Sequence, residues 1–205
     1  MSRPLPPRDP LPRVTSYLAR LPAGAASYPE CKSKALLVRR ALEERPLERD
    51  VVAMLPRPIA DTVLCPPLES EWVPEVHLMV VLLAIADANG LDEAAHLEWM
   101  REMNTRTLGT LFRFLFRFIS PEALAKRVPE RWGVFHLGST LIAEDVRDDG
   151  CTVWLKFPPH LFHGLVLRHY APVLEVALRI AAPGSRVVLV DETPNQGLFQ
   201  AYWQT

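Results

Sequence analysis

The chain has 205 residues, a length that suits one domain, and 49% of them are hydrophobic, enough for a sizeable buried core. Its 23 basic and 24 acidic side chains give a formal net charge of -1, so global charge gives no reason to expect nucleic acid or an acidic membrane as partner. The widely spaced Cys31, Cys65 and Cys151 predict neither a disulfide framework nor a zinc knuckle, and they fit a reducing cytoplasm.

Residues 1–29 form a proline-rich leader. Because proline lacks the amide donor and restricts the residue before it, we expect a flexible or polyproline-II-like tail here. A ligand for an SH3-like groove is the functional alternative. The leader lacks the apolar stretch of a signal peptide, and the longest apolar run, Leu78–Ala86, is too short to span a bilayer. We therefore expect a cytoplasmic protein with no membrane span.

Residues 30–130 carry the apolar spacing of helices. The segment 75–88 is almost continuously apolar between Pro74 and Asn89-Gly90, which indicates a buried central helix. A long helix is expected from residue 93 to about residue 119. Ser120-Pro121-Glu122 begins another, which we expect to end near Val128-Pro129.

The pattern changes to strands over residues 131–205. Strand-like segments lead to the hairpin turn Asp148-Asp149-Gly150, and alternation over 151–157 predicts a half-buried strand. A helix over 161–182, bent or restarted at Pro172, precedes the last two strands. We predict an α+β fold for a single domain of residues 30–205. In it, an N-terminal helical bundle packs on a small, mostly antiparallel four-stranded sheet with a helical crossover.

Four short motifs carry a resemblance to a known family: residues 68–74, Ser120-Pro121-Glu122, Arg131-Trp132-Gly133 and Phe157-Pro158. With a closing strand that ends in Tyr202-Trp203, the chain resembles the myxobacterial paralogous family of unknown function. That family is similar to the haem-NO-binding and vinyl-reductase-like sensory fold. The resemblance implies a sensory or binding module and not an enzyme.

The haem branch of that fold requires a proximal histidine on a helix and a Tyr-x-Ser-x-Arg motif for the haem propionates. The sequence lacks this motif, so the propionate clamp is missing. His77 and His96 lie on suitable helices and are the candidate axial ligands. The metal-binding branch requires a cysteine cluster, which three scattered cysteines do not supply. We expect no haem and no other cofactor.

His160 and His163 are candidate metal ligands, because residues three apart share one face of a helix. No acidic residue or cysteine completes the shell nearby in sequence, so surface or capping histidines are the main interpretation. His136 and Ser139 are also three apart, without an acidic side chain at local spacing to orient the histidine. The sequence contains no G-x-S-x-G, phosphate-binding glycine loop or H-E-x-x-H. We therefore predict no catalytic residues.

The most unusual local run is Phe112–Phe118, in which phenylalanine alternates with arginine and leucine. On a helix, Arg106, Arg113 and Arg117 fall on one basic stripe. The main interpretation is an amphipathic helix whose arginines are solvated or paired with acidic residues such as Glu102. The functional alternative is an aromatic-walled groove for an anion or an acidic partner.

Trp72 and Trp154 are the aromatic candidates for binding. Trp154 alternates with Val153 and Leu155, so it is either covered by the helical half or exposed as an interface anchor. We predict a non-catalytic signalling or scaffold module that binds a protein partner, a second copy of itself, or a small apolar ligand between helices and sheet. A haem or gas sensor and a histidine-based metal-dependent enzyme are the alternatives.

Overall fold

The computed structural model describes residues 9–111 and 120–204. Its helices are α1 Pro12–Arg20, α2 Ala35–Glu44, α3 Arg49–Ala53, α4 Arg57–Leu64, α5 Glu75–Ala88, α6 Glu93–Leu111, α7 Pro121–Lys126, α8 Val128–Phe135 and α9 Gly164–Ala181. Its strands are β1 Lys32–Lys34, β2 Trp72–Pro74, β3 His136–Leu137, β4 Thr140–Arg147, β5 Gly150–Lys156, β6 Arg186–Thr193 and β7 Gln196–Tyr202. The predicted α+β class is confirmed.

The larger sheet contains four strands in the order β4-β5-β7-β6, and every neighbouring pair is antiparallel. Helix α9 crosses from the first hairpin to the second, as predicted. The two central strands, β5 and β7, pair without interruption. Each outer strand shifts register once, between Glu144 and Arg147 in β4 and between Leu189 and Asp191 in β6.

The two faces of this sheet differ because successive side chains of a strand point to opposite sides. In β5, Cys151, Val153 and Leu155 are buried, whereas Thr152 and Trp154 are half-buried. The buried face packs against the helical half of the molecule, chiefly through α9, and the half-buried face is directed away from it. The predicted alternation of this strand is confirmed.

Helix α5 is the central element of the helical half. Its residues from Glu75 to Ala86 are all buried, and it packs against α1, α2 and α4. A helix that is apolar on all sides belongs in the middle of a core. The amide of Asn89 donates to the carbonyl of Ile85, and Gly90 adopts a φ of +60°, so the helix ends at the predicted pair.

A second sheet, which the sequence pattern did not predict, contains three short strands in the order β2-β1-β3. Strand β1 lies in the middle and pairs antiparallel with both neighbours, Lys32 with Pro74 and Ser33 with His136. The amide of Glu75 donates to the carbonyl of Cys31 at 2.9 Å, which joins the start of α5 to the residue before β1. Three strands of two or three residues are too short to show a period, and for this reason they escape sequence analysis.

The leader is not a flexible tail over its described part. Residues 12–20 form α1, with Pro12 in its first turn, where proline needs no amide partner. Val14 and Tyr17 are buried against the core, and the hydroxyl of Tyr17 donates to the carbonyl of Leu161 at 2.7 Å. The guanidinium of Arg13 lies 2.9 Å from the carboxylate of Asp87 on α5. Residues 1–8 lie outside the described residues.

Helix α7 ends at Lys126, close to the end predicted near Val128-Pro129. An additional helix that was not predicted, α8, begins at Val128, because proline fits the first turn of a helix. His160 lies in a turn with a φ of +62° and not on a helix. Ser120 caps α7 as predicted, with its hydroxyl accepting from the amide of Ala123. Across the described ranges, no helix has the length and apolarity needed to cross a membrane.

Candidate functional site

A cavity of about 240 Å³ lies between the helical half and the buried face of the large sheet. Helices α2, α5, α6, α7, α8 and α9 contribute side chains to its walls, and all four strands of the sheet form its floor. The walls are almost entirely apolar. Strand β5 contributes Cys151 and Val153, so the side chains that line the cavity are on the opposite face of the strand from Trp154.

One end of the cavity is polar. His136 lines it, and its Nδ1 lies 3.0 Å from Oε2 of Glu75, whose side chain is completely buried. The short sheet explains this contact: Glu75 follows β2, His136 begins β3, and both strands pair with β1. Glu75 also lies at the N-terminal end of α5, where the helix dipole favours a carboxylate. Its second oxygen, Oε1, is buried and has no hydrogen-bond partner among the described residues.

Aromatic rings surround His136. The indole of Trp132 stacks on the imidazole, with ring centroids 3.9 Å apart, and its Nε1 donates to the hydroxyl of Ser139 at 3.0 Å. Tyr170 of α9 meets both rings edge-on, 5.2 Å from Trp132 and 6.1 Å from His136 between centroids. Stacking and edge contacts of this kind hold rings in fixed positions. The imidazole therefore has a defined orientation at the cavity wall.

Tyr170 lines the cavity and is buried. Burial raises the pKa of its hydroxyl well above the ordinary value, and the nearby Glu75 raises it further. The hydroxyl is therefore a neutral donor at physiological pH, and no partner for it is found in the part of the chain that the structure describes. We call Glu75, His136 and Tyr170 the cavity-side cluster.

A second group of buried polar side chains, His96, Trp99 and His169, lies where α6 packs on α9, and none of the three lines the cavity. The imidazoles of His96 and His169 stack with centroids 5.6 Å apart, and Nε2 of His96 lies 3.4 Å from Nδ1 of His169. Burial lowers the pKa of His96 to about 4 and lowers the pKa of His169 well below its ordinary value. Both rings are neutral at pH 7. We call these three residues the sealed cluster.

The two histidines proposed as haem ligands lie away from the cavity. His77 faces α4, where its Nδ1 lies 2.9 Å from the hydroxyl of Thr62, and burial lowers its pKa. His96 belongs to the sealed cluster. Among the side chains of α6 that the structure describes, Met100, Met103 and Asn104 line the cavity.

The two histidines proposed as metal ligands do not share a helix face. His160 occupies a turn, and His163 is the N-cap of α9, with its Nδ1 accepting from the amide of Leu165 at 3.1 Å. Burial lowers the pKa of His163 to about 4, with Arg20 and Arg168 adding to the effect. The described ranges contain no group of three or more histidine, cysteine or acidic side chains arranged to hold a metal ion.

Arg106 is the member of the basic stripe that the structure describes; Arg113 and Arg117 lie outside the described residues. Its side chain is 56% exposed, and its Nε donates to Glu44 of α2 at 2.9 Å, with Glu102 at 3.8 Å. The hydrogen bond to Glu44 raises the pKa of Arg106. Arg106 by itself is thus a paired arginine, and the stripe as a whole stays a prediction.

Neither tryptophan candidate lies at the cavity. Trp72 is half-buried on β2, and the ammonium of Lys34 lies 3.8 Å from the centre of its ring, a cation–π contact. Trp154 is half-buried between its cross-strand neighbours Ile142 and Leu198. Its face of the sheet is directed away from the helices, so the helical half does not cover it.

Sequence reasoning missed Glu75 and Tyr170, and it placed His136 without an acidic partner. The partner is Glu75, which lies 61 positions away in the chain. One signal was present: a single carboxylate at the head of a helix that is otherwise apolar. Such a group is either exposed at the helix start or buried with a partner, and sequence alone does not distinguish the two.

Neither a protein-family model nor a curated protein matches this chain. Solved structures do. An H-NOX structure used to probe the function of haem distortion in that family matches with a TM-score of 0.54 and 11% sequence identity, covering 83% of this chain and 93% of that chain. A Cs H-NOX variant with 4-cyano-L-phenylalanine at site 5 matches with a TM-score of 0.50 and 12% identity, covering 84% of this chain and 97% of that chain.

At this level of identity the similarity concerns the fold, and the fold is the one found in H-NOX domains. The part of the resemblance that pointed to the haem-NO-binding fold is therefore confirmed. The comparisons do not support the myxobacterial family or the vinyl-reductase-like fold.

Proposed function

We propose that this chain is a non-catalytic sensory domain that binds a small apolar molecule in the cavity between its helices and its sheet. The observation that carries this proposal is the apolar cavity of about 240 Å³. An apolar cavity of about 150 Å³ stays dry and binds benzene, so a larger one accommodates a molecule of roughly ten non-hydrogen atoms. Binding sites of this kind are concave and mostly apolar, with a few polar groups at defined positions.

The position of the cavity explains how binding would act as a signal. A bound molecule would touch α5 and α6 on one side and β5 on the other. A ligand shifts a conformational equilibrium by its difference in affinity for the two states. An occupant that contacts both halves favours the arrangement in which they are closed on it, and a protein partner or a second copy would detect that arrangement. We also propose that the protein has such a partner, that it is located in the cytoplasm, and that it belongs to the myxobacterial family.

Haem sensing is the second candidate, because the similar solved structures are H-NOX domains and one of them was used to study haem distortion. These neighbours weigh against the expectation that haem is absent. The residues of the cavity nevertheless do not fit haem. The volume is below the range of about 300–1,000 Å³ that drug-sized ligands occupy, and a porphyrin is larger than most of those.

The donor set of the cavity also disagrees with haem. Among the described residues that line it, His136 is the histidine and Arg131 the cationic side chain. Nδ1 of His136 already lies against Glu75. A carboxylate in this position is typical behind a metal-bound histidine, and this is the local observation in favour of haem. One arginine, however, does not replace a clamp for two propionates.

A titration with naphthalene tests the main proposal. We expect binding to the cavity, detected as a rise in thermal midpoint and by calorimetry, since a ligand specific to the folded state stabilises it. The variant Val153→Phe fills the cavity and should abolish binding. Thr152→Phe places the same ring on the opposite face of the same strand and should leave binding unchanged. Equal binding to both variants would show that naphthalene binds elsewhere.

Addition of haem to the same protein separates the two candidates. If the domain senses a small apolar molecule, the visible spectrum remains that of free haem. A Soret band that shifts at one equivalent, and that disappears in His136→Gln, would establish the haem alternative and reject the main proposal.

A further inference from the structure

The chemical class of the cavity's ligand can be inferred from the polar end of the site, and this inference rests on the function proposed above. Two residues that line the cavity each hold a polar atom for which no protein partner is found within the described ranges: Nε2 of His136 and the hydroxyl of Tyr170. Beside them, Oε1 of Glu75 is buried and also has no partner there, although Glu75 does not line the cavity. Buried polar groups are nearly always hydrogen-bonded. Unpaired polar atoms on two neighbouring lining residues, His136 and Tyr170, indicate that a polar atom of a ligand belongs at this end of the apolar cavity.

The hydrogen-bonding roles of these groups follow from their neighbours. A carboxylate accepts, so Glu75 favours the imidazole tautomer that carries its proton on Nδ1, and Nε2 of His136 is then an acceptor. The hydroxyl of Tyr170 is protonated and is therefore able to donate. The two rings meet edge-on with centroids 6.1 Å apart. The ligand atom that matches this end both donates and accepts.

The charge of the ligand is limited by Glu75 and by the walls. Glu75 is completely buried beside the site, so it repels an anionic head group. Apart from Asn104 and the exposed Arg131, the remaining walls are apolar and give a charged group no compensation for its lost hydration. His136 already lies against the carboxylate and takes the place that a cation would occupy.

We propose that the cavity binds an uncharged apolar molecule of roughly ten non-hydrogen atoms that carries one hydroxyl group, as in a phenol or an alicyclic alcohol. Its hydroxyl donates to Nε2 of His136 and accepts from Tyr170. The apolar body lies between α6 and β5, beside Met100 and Val153. The polar end thereby selects hydroxylated molecules over hydrocarbons of the same shape.

Calorimetric titrations with four probes of one ring system test this inference: 2-naphthol, naphthalene, 2-naphthoate and 2-naphthylmethylamine. At neutral pH we expect 2-naphthol to bind about tenfold more tightly than naphthalene, since its two hydrogen bonds together are worth about that factor after the loss of hydration. The anion and the cation should bind more weakly than naphthalene. In Tyr170→Phe, the preference for 2-naphthol should shrink to less than about threefold while naphthalene binds as before.

Tyr202→Phe is the matched control, because Tyr202 is 49% exposed at the end of β7, outside the cavity. It should keep the full preference. A further measurement needs no variant: 2-methoxynaphthalene accepts but cannot donate, so it should lose most of the advantage of 2-naphthol on the unmodified protein.

Different outcomes would contradict the preference for a hydroxyl group and the binding of apolar molecules in the cavity. If naphthalene binds and 2-naphthol gains nothing, the hydroxyl preference is wrong and the apolar binding function stands. Tighter binding of the anion or the cation overturns the uncharged class. If none of the four probes binds, the proposed function fails, and the inference fails with it.

Discussion

The cavity-side cluster and the sealed cluster are both buried and polar, and they differ in what they face. His136 and Tyr170 line a space, whereas His96 and His169 are enclosed between two helices. Both clusters hold polar atoms without protein partners, Oε1 of Glu75 in one and Nδ1 of His96 in the other. In the first cluster, His136 and Tyr170 face the cavity, where a ligand can reach their polar atoms. The second cluster is enclosed, so it affects stability and its pH dependence, and only the cavity-side cluster is placed to affect recognition.

The largest expected effect comes from removing one partner within the cavity-side cluster. His136→Ala leaves the carboxylate of Glu75 buried and uncompensated, and the free energy of unfolding should fall by about 3–5 kcal/mol. Urea denaturation measures it. Arg40→Ala is the control, because the pair Arg40–Glu43 is exposed and should contribute less than about 1 kcal/mol. A loss below about 1 kcal/mol for His136→Ala would mean that the buried contact between His136 and Glu75 does not stabilise the fold.

We expect acid to destabilise the folded protein through the histidines of the sealed cluster. Burial, then Arg13 and His163, lowers the pKa of His96 to about 4, whereas an unfolded histidine titrates near 6.5. Between about pH 6.5 and pH 4 the unfolded chain therefore binds a proton that the folded chain does not, so the folded state loses stability as the pH is lowered.

For His96 this loss amounts to roughly 3 kcal/mol, and His169 adds to it in the same direction. Unfolding free energies measured at pH 7, 6 and 5 should show the decline, with a shallower slope in His96→Gln. Trp154→Phe, on the distant face of the sheet, should keep the slope of the unmodified protein. Equal stability at pH 7 and pH 5 would contradict the assignment of neutral buried imidazoles.

Two buried tyrosines differ in the surroundings of their hydroxyl groups: Tyr17 is hydrogen-bonded within the protein, whereas Tyr170 lines the cavity. Tyr17→Phe removes a buried hydrogen bond to the carbonyl of Leu161 and should lower the unfolding free energy by about 1 kcal/mol. Tyr170→Phe removes a hydroxyl without a protein partner in the described ranges and should change it by less than about 0.5 kcal/mol. If the order of the two is reversed, Tyr170 has a structural role and its place in the cavity-side cluster is wrong.

The smallest expected effect belongs to neither cluster. Arg106→Ala breaks an exposed pair with Glu44 and should leave the urea midpoint of unfolding nearly unchanged, because exposed ion pairs contribute little to stability. It should leave the affinity for naphthalene unchanged, because Arg106 does not line the cavity. A loss of affinity would revive the hypothesis that the basic stripe forms part of a binding groove.

The parts of the fold that could be predicted are those whose signal is local. The apolar segment of α5, the Ser-Pro-Glu start of α7 and the alternation of β5 each depend on residues a few positions apart. The prediction of a flexible leader was wrong over residues 12–20, because the prolines obscured the pattern of a short helix. Pro12 followed by Val14, Tyr17 and Leu21 is the pattern of a short amphipathic helix with proline in its first turn.

The candidate site could not be predicted, because its contacts are distant in the chain. Glu75 and His136 are 61 positions apart, and His96 and His169 are 73 apart. Their meeting depends on β1, whose three residues Lys32–Lys34 show no period, and on the packing of α6 against α9. A single sequence gives the chemistry of each side chain and no measure of which distant side chain it will face.

The register shifts of the large sheet have a consequence for assembly. Strands β4 and β6 are its two edges, and an edge offers unpaired amides and carbonyls to a strand of another chain. Both irregularities fall on these edges, while the central pair β5–β7 is regular over its whole length. A bulge twists an edge and interrupts its hydrogen-bonding row. The interrupted rows make β4 and β6 poorer templates for an added strand than regular edges, so we expect a second copy of this chain to associate through side chains and not by extending the sheet.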